Sequence, residues 1–154
     1  MSAPLTVLAP VSGLVVALAD VDDPVFSAEL VGPGLAIEPV RGPVSEVLAP
    51  VAGRIAKLHA HAFVLQAEDG RGVLVHLGIN TVQLEGTGFT LHAAEGDDVA
   101  LGQVLVGWDP AQVEAGGRSP VCPVVGLDAA AGSIERLVEP GDEVAAGTPF
   151  LRWT

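Results

Sequence analysis

The sequence predicts an all-β fold over residues 1–154, a pseudo-symmetric antiparallel β-sandwich or flattened barrel. Three observations lead there. The chain echoes itself twice, and each echo joins a turn to an apolar strand. Its 19 glycines and 12 prolines are spread along the length, which suits many short strands joined by tight turns. No stretch carries the apolar period of a long amphipathic helix.

The first echo pairs residues 8–18 (LAPVSGLVVAL) with residues 48–58 (LAPVAGRIAKL). In each copy Pro-x-x-Gly sets a bend before an apolar strand. The strongest hairpin follows, with one strand through Phe63 to Gln66 and the other through Val73 to Leu77. Its turn falls within residues 67–72 (AEDGRG), with Asp69-Gly70 at the tip. The second echo pairs residues 96–108 (GDDVALGQVLVGW) with residues 141–153 (GDEVAAGTPFLRW). Each copy reads as a short strand between two glycine turns. Residues 110–115 and 128–131 each suit one helical turn. Two copies of each unit do not make a solenoid, so one pseudo-symmetric domain is expected. At 154 residues the chain can build one core and not two comfortable ones. Phe26, Phe63, Phe89, Phe150, Trp108 and Trp153 are its aromatics, so Val, Leu, Ile and Ala must supply the rest of that core.

The formal charge is −12, with Lys57 the one lysine. Such a surface repels nucleic acid and anionic lipid and attracts a basic protein partner. No basic region with an apolar stretch opens the sequence and no apolar run approaches a membrane span. A cytoplasmic location without direct membrane insertion is therefore expected. Cys122 is the one cysteine, so no internal disulfide forms; between Val121 and Pro123 it reads as a small buried hydrophobe.

The chemistry rests on four histidines, His59, His61, His76 and His92. Antiparallel partners have position numbers that sum to a constant. A four-residue turn, Ala67 to Gly70, gives 137 and sets His61 opposite His76. A two-residue turn at Asp69-Gly70 gives 139, and a five-residue turn, Glu68 to Gly72, gives 140. Odd sums put both rings on one face; an even sum puts them on opposite faces. Two of the three registers therefore bring His61 and His76 together, with Cβ atoms about 5 Å apart in the first and about 7–8 Å on a diagonal. A neutral imidazole is a good nucleophile near neutral pH if its other nitrogen is held as a donor. The Gly78 carbonyl is placed to hold one ring, and the second histidine can donate to phosphoryl oxygens. Phosphoryl transfer asks the protein mainly to position and neutralise. A single histidine is more often an ordinary strand residue, which is the reading for His59, as a loop residue, and for His92, on an exposed strand.

Taken together, these residues resemble the glucose-type IIA phosphocarrier family of the sugar phosphotransferase system. The resemblance is carried by APVSGLVVAL, by DDPVFSAELVGPGLAIEP at residues 22–39, and by LAPVAGRI. It continues through HAF at residues 61–63, VHLGINTVQLEGTGF at residues 75–89, and GDEVAAGTPFLRW. It implies a sandwich of the duplicated hybrid-motif type with both histidines in a shallow depression. It implies that His61 carries the phosphoryl group on Nε2 and that His76 supports it, with Gly78 and His59 behind them. The implied donor is HPr and the acceptor is a cysteine of a IIB domain tied to a sugar permease. Val25, Phe26, Leu30 and Val31 match the family's apolar docking segment. No cofactor is implied, and no metal beyond adventitious zinc on His61 and His76. Three departures stand out. His59 occupies the place where better-known members carry threonine, Asn80 stands where aspartate is common, and the amphipathic N-terminal extension of some members is not seen.

Three other readings fit less of the chain. A zinc hydrolase would use the His59-x-His61 pair with His76, but the earlier His-x-x-x-Asp of the metallopeptidases it resembles is missing. A biotinyl or lipoyl carrier would need a lysine on a hairpin tip, and Lys57 lacks the flanking pattern. A nucleotide-dependent kinase would need more than the turn glycines of Gly32-Pro33-Gly34 and Gly86-Thr87-Gly88.

Overall fold

The computed structural model describes residues 3–41, 45–81, 88–130 and 132–154. The expected Gly86-Thr87 turn lies outside the described residues, as does the 82–87 stretch of the VHLGINTVQLEGTGF segment. The described strands are β1 (Leu5–Leu8), β2 (Gly13–Val16), β3 (Gly34–Pro39), β4 (Ser45–Leu48), β5 (Gly53–His59), β6 (Ala62–Gln66) and β7 (Gly72–His76). They continue with β8 (Phe89–Leu91), β9 (Asp98–Val99), β10 (Val104–Trp108), β11 (Cys122–Gly126), β12 (Ile134–Arg136), β13 (Glu143–Val144) and β14 (Pro149–Trp153). All the pairings between them are antiparallel.

The echoes of the sequence become a duplication in space. The eight-stranded sheet runs β13-β2-β3-β11-β7-β6-β5-β9, and two three-stranded sheets run β1-β14-β12 and β4-β10-β8. Exchanging β2 with β5, β3 with β6, β11 with β7 and β13 with β9 reads the large sheet backwards unchanged. Exchanging β1 with β4, β14 with β10 and β12 with β8 likewise turns one small sheet into the other. At the centre, the Leu8 N–H donates to the Pro50 carbonyl and the Leu48 N–H donates to the Pro10 carbonyl, each at 2.9 Å. The glycines of the two Pro-x-x-Gly bends share one cause. A Cβ on Gly13 would sit 2.1 Å from the Glu38 carbonyl oxygen, and one on Gly53 would sit 2.2 Å from that of Gln66. Only glycine lets the backbones come that close.

Two short helices start the same way. α1 (Pro24–Ser27) and α2 (Pro110–Ala115) each begin with proline at the first turn, after an aspartate whose carboxylate accepts a backbone N–H. α2 is the turn expected at residues 110–115; α1 was not foreseen. Among residues 128–131 no helical turn forms in the described part, and the chain instead turns at Leu127–Asp128, with Asp128 at φ 56°.

The main core holds Val7, Val47, Phe63, Val75, Trp108 and Phe150. A second, smaller cluster covers the outer face of the large sheet. It contains Leu18, Val21, Phe26, Ala36, Ile79, Val121 and Val125. Alternation along β7 sends Val73 and Val75 to the main core and Leu74 to the second cluster. His76 shares the face of Leu74, so it points to the outer cluster.

The β6–β7 hairpin takes none of the three expected registers. Ala62 pairs with His76, Phe63 with Val75 and Gln66 with Gly72, a sum of 138. The loop is Ala67 to Arg71, closed by the Ala67 N–H on the Arg71 carbonyl at 2.8 Å. Asp69 accepts the Arg71 N–H at 3.1 Å, which keeps the tip at Glu68-Asp69-Gly70. An even sum would set His61 and His76 on opposite faces if both stood in strands. His61 does not. It is the second residue of the two-residue turn that joins β5 to β6, where His59 pairs with Ala62.

Candidate functional site

The turn frees His61 from strand alternation and brings its ring back over the outer face. Its carbonyl stays tied to the hairpin, accepting the Leu77 N–H at 2.7 Å. The His61 and His76 ring centroids lie 5.3 Å apart, with planes inclined at 63°. The His59 ring stacks on His61 from elsewhere, 5.6 Å away and 20° off parallel. Phe26 meets His76 edge-on at 5.5 Å. His61 is thus the ring common to two imidazole contacts, and His76 is the ring backed by apolar surface.

His76 is held from its other side. Its Nδ1 bonds to the Gly78 carbonyl, so Nδ1 carries the proton and Nε2 is the free nitrogen in the neutral ring. The loop that offers this carbonyl is fixed by two further hydrogen bonds. The Thr81 hydroxyl, fully buried, donates to the Leu77 carbonyl at 2.7 Å. The Ile79 N–H donates to the Ser119 carbonyl at 2.8 Å. Gly78 itself takes φ 83°, and a Cβ there would meet Thr81 Cγ2 at 2.5 Å and the Ser119 oxygen at 2.8 Å.

The electrostatics keep both rings neutral. Burial lowers the His61 pKa to about 4, with charge on His76 and then on His59 pushing the same way. Burial also lowers the His76 pKa, against the opposing pull of the Gly78 carbonyl and Asp23. At neutral pH each ring therefore presents a lone pair rather than a cation, and in His76 the Gly78 contact fixes that lone pair on Nε2. That suits nucleophilic attack on phosphorus.

The docking segment divides. Val25 is 41 % exposed and Leu30 70 %, while Val31 is half-buried against the outer cluster. Phe26, expected among the exposed docking residues, is instead buried at 5 %. The chain folds over the outer face there, so the Phe26 ring becomes a wall behind His76. His59 ends a strand rather than lying in a loop, and His92 is exposed directly after β8. Asn80 is exposed with φ 59°. Sequence reading missed Asp23 as a neighbour of His76; the Asp23-Pro24 pair was the signal for the helix that carries it there.

Cys122 is fully buried, with its sulfur 3.3 Å from the Pro120 carbonyl. Burial pushes its thiol pKa far up, and the Gly78 backbone only partly offsets this. Among the described residues no group of three or more His, Cys, Asp or Glu side chains is placed to hold a metal ion. The near-parallel His59 and His61 rings do not aim their in-plane lone pairs at one point, as a shared zinc ion would require. Among the described residues no helix is long and apolar enough to cross a membrane.

Comparison with known proteins decides the family. Residues 5–132 match the family described as phosphoenolpyruvate-dependent sugar phosphotransferase system, EIIA 1. The chain belongs to this EIIA family. A "PTS system glucose-specific EIIA component" of Oceanobacillus iheyensis is 38% identical to this EIIA chain over 123 residues, covering 79% of it and 73% of the relative. A "PTS system beta-glucoside-specific EIIBCA component" of Bacillus subtilis is 43% identical over 118 residues, 75% of this chain but 19% of that longer protein. The solved structure of the glucose permease IIA from Mycoplasma capricolum superposes with a TM-score of 0.88 at 31% identity, covering 98% of this chain and 96% of the other. The β-sandwich expected from the sequence is the fold of that protein.

Proposed function

We propose that this EIIA chain, residues 1–154, is one phosphocarrier unit that takes a phosphoryl group from HPr onto His76 Nε2, and not onto His61 as the sequence resemblance implies, because the Gly78 carbonyl holds the His76 Nδ1 as the donor. It passes the group to a cysteine of a IIB domain linked to a sugar permease. The observation that carries this reading is the His61–His76 ring pair, 5.3 Å apart on the outer face of the sheet. His76, with its Nδ1 held as donor by the Gly78 carbonyl, supplies the attacking lone pair on Nε2. His61, whose neutral ring keeps one N–H, donates it to a phosphoryl oxygen. In each transfer the bond from phosphorus to the donor atom breaks, the electron pair stays with the donor, and the acceptor's lone pair forms the new bond.

Exposed Val25 and Leu30, with half-buried Val31, offer apolar contact beside Asp20, Asp22, Asp23 and Glu29. An apolar patch rimmed by acid suits a transient interface with basic partners. The protein works in the cytoplasm, where those partners meet it. Relatives named for glucose and for β-glucosides share this chain's family, and the choice of sugar belongs to the permease.

The test is phosphorylation with enzyme I, HPr and phosphoenolpyruvate. Wild type should take one phosphate, His76→Ala none, and His61→Ala should accept it yet pass it on poorly. Full labelling of His76→Ala would refute the assignment.

A further inference from the structure

Thr81 is the one buried polar or charged side chain among the described residues, and none of it reaches solvent. It stands just past β7, and its two arms touch one loop. The hydroxyl donates to the Leu77 carbonyl four positions back, at 2.7 Å. The methyl, Cγ2, lies 2.5 Å from where a Cβ on Gly78 would be. Leu77 is tied from its other end as well, because its N–H donates to the His61 carbonyl at 2.7 Å. The Leu77 carbonyl that Thr81 holds belongs to the planar peptide leading into Gly78, and the next carbonyl, that of Gly78, bonds His76 Nδ1. The hydroxyl is thus one peptide away from the contact that orients His76.

Packing alone does not call for a hydroxyl there. Valine has nearly the shape of threonine and would avoid the cost of taking that group out of water. Ile79, two positions earlier, fills the outer cluster with a wholly apolar side chain. What the hydroxyl adds is direction, a bond to one carbonyl from a stiff, β-branched side chain. That direction has a chemical consequence at His76. A neutral imidazole carries its proton on one nitrogen, and the partner of Nδ1 decides which. With the Gly78 carbonyl in place, the proton stays on Nδ1 and Nε2 keeps its lone pair. If that carbonyl swings away, the proton is free to sit on Nε2, and a ring protonated there has no lone pair for phosphorus.

We propose that Thr81 is a positioning residue for phosphoryl transfer: its hydroxyl, acting through the Leu77–Gly78 peptide, keeps the Gly78 carbonyl on His76 Nδ1 and so keeps Nε2 nucleophilic. The inference rests on the phosphocarrier reading above and gives the buried hydroxyl a part in it.

The experiment follows single-turnover labelling by phospho-HPr. His76 Nε2 attacks phosphorus, the bond from phosphorus to the donor atom of HPr breaks, and its electron pair stays with HPr. Wild type is compared with Thr81→Val, which loses the donor at nearly constant shape, and with Thr81→Ser, which keeps the donor and loses the methyl. Loss of the bond should slow Thr81→Val about tenfold at saturating phospho-HPr, with the half-saturating concentration within about twofold of wild type. Nitrogen NMR of the His76 ring should show the proton on Nδ1 in wild type and partly on Nε2 in Thr81→Val. Thr81→Ser should recover to within about twofold of the wild-type rate and return the proton to Nδ1. Circular dichroism confirms that each variant is folded. Should Thr81→Val not fold, Thr81→Cys replaces it, and its weaker donor should give a rate below that of Thr81→Ser. A donor-deficient variant with the wild-type rate and ring proton overturns the proposal, and so does a folded Thr81→Ser protein as slow as that variant. Wild type that takes no label, or His76→Ala that takes it in full, defeats the phosphocarrier reading itself and this proposal with it.

Discussion

The His61 and His76 rings lie 5.3 Å apart, yet the residue across the strand from His76 is Ala62. The pair is made by a turn and not by a ladder. His61 sits on the two-residue connection between β5 and β6, and His76 stands at the end of β7 with Gly78 holding its Nδ1. One partner is set by a hairpin bend and the other by a glycine-bearing loop, so each can be perturbed separately.

Gly78→Ala tests the loop. The residue occupies φ 83°, and its new methyl would stand 2.5 Å from Thr81 Cγ2 and 2.8 Å from the Ser119 oxygen. Left-handed strain and overpacking together should cost about 2–4 kcal/mol in urea unfolding. Movement of the Gly78 carbonyl should also release His76, so acceptance of the phosphoryl group slows along with onward transfer. A variant of wild-type stability and transfer rate would contradict this account.

Thr81→Val tests the same loop without touching a ring. The buried hydroxyl donates to the Leu77 carbonyl, and valine would remove that donor at nearly constant volume. The expected loss is about 1–3 kcal/mol, the cost of a buried acceptor left without its partner. Chemical denaturation of both proteins at one pH measures it.

Acid should weaken the fold through the site. His61 titrates at about 4 in the native chain and near ~6.5 when unfolded. Between those values the unfolded chain binds a proton that the folded chain does not, so stability falls as pH drops through this window. His76 is displaced in the same direction and steepens the fall. His61 is partly open to solvent, which screens its share. His61→Ala should therefore lose less stability than wild type between pH 7 and about pH 4.5, as read by urea midpoints. Parallel losses in the two proteins would count against the argument.

The docking segment separates surface from support. Leu30 is 70 % exposed, so Leu30→Ser should alter stability by no more than about 0.5 kcal/mol while raising the KM for phospho-HPr several-fold. Phe26 is buried against His76, and Phe26→Ala should cost about 3–5 kcal/mol. Steady-state transfer assays beside thermal unfolding would distinguish the two. Equal effects at both positions would show the division to be wrong.

The duplication was legible because its signal is backbone chemistry. Pro-x-x-Gly and Gly-Asp-x-Val-x-x-Gly fix bends whatever the strands do, and the glycine at the end of each Pro-x-x-Gly unit is demanded by a carbonyl about 2 Å from where a Cβ would be. The hairpin register was not legible. AEDGRG contains two glycines and an aspartate that can cap its own turn, so several closures are locally acceptable, and they differ by single residues. The histidine pair was anticipated, but through a ladder it does not use. α1 spans Pro24–Ser27, too short for a helical period to appear. Its signal was the Asp-Pro start that also opens α2. Phe26 reads as exposed in a segment rich in acidic residues; only the fold of that segment across the outer face buries it.

The burial of Cys122 bears on where phosphorus can end up. The sulfur sits beside the same Gly78 backbone that orients His76, but it is sealed from solvent and clings to its hydrogen. Thiolate is the form that captures a phosphoryl group. The carrier thus holds no competing sink of its own for a cargo bound for a cysteine elsewhere, and the group has one kind of exit, outward to a docked protein.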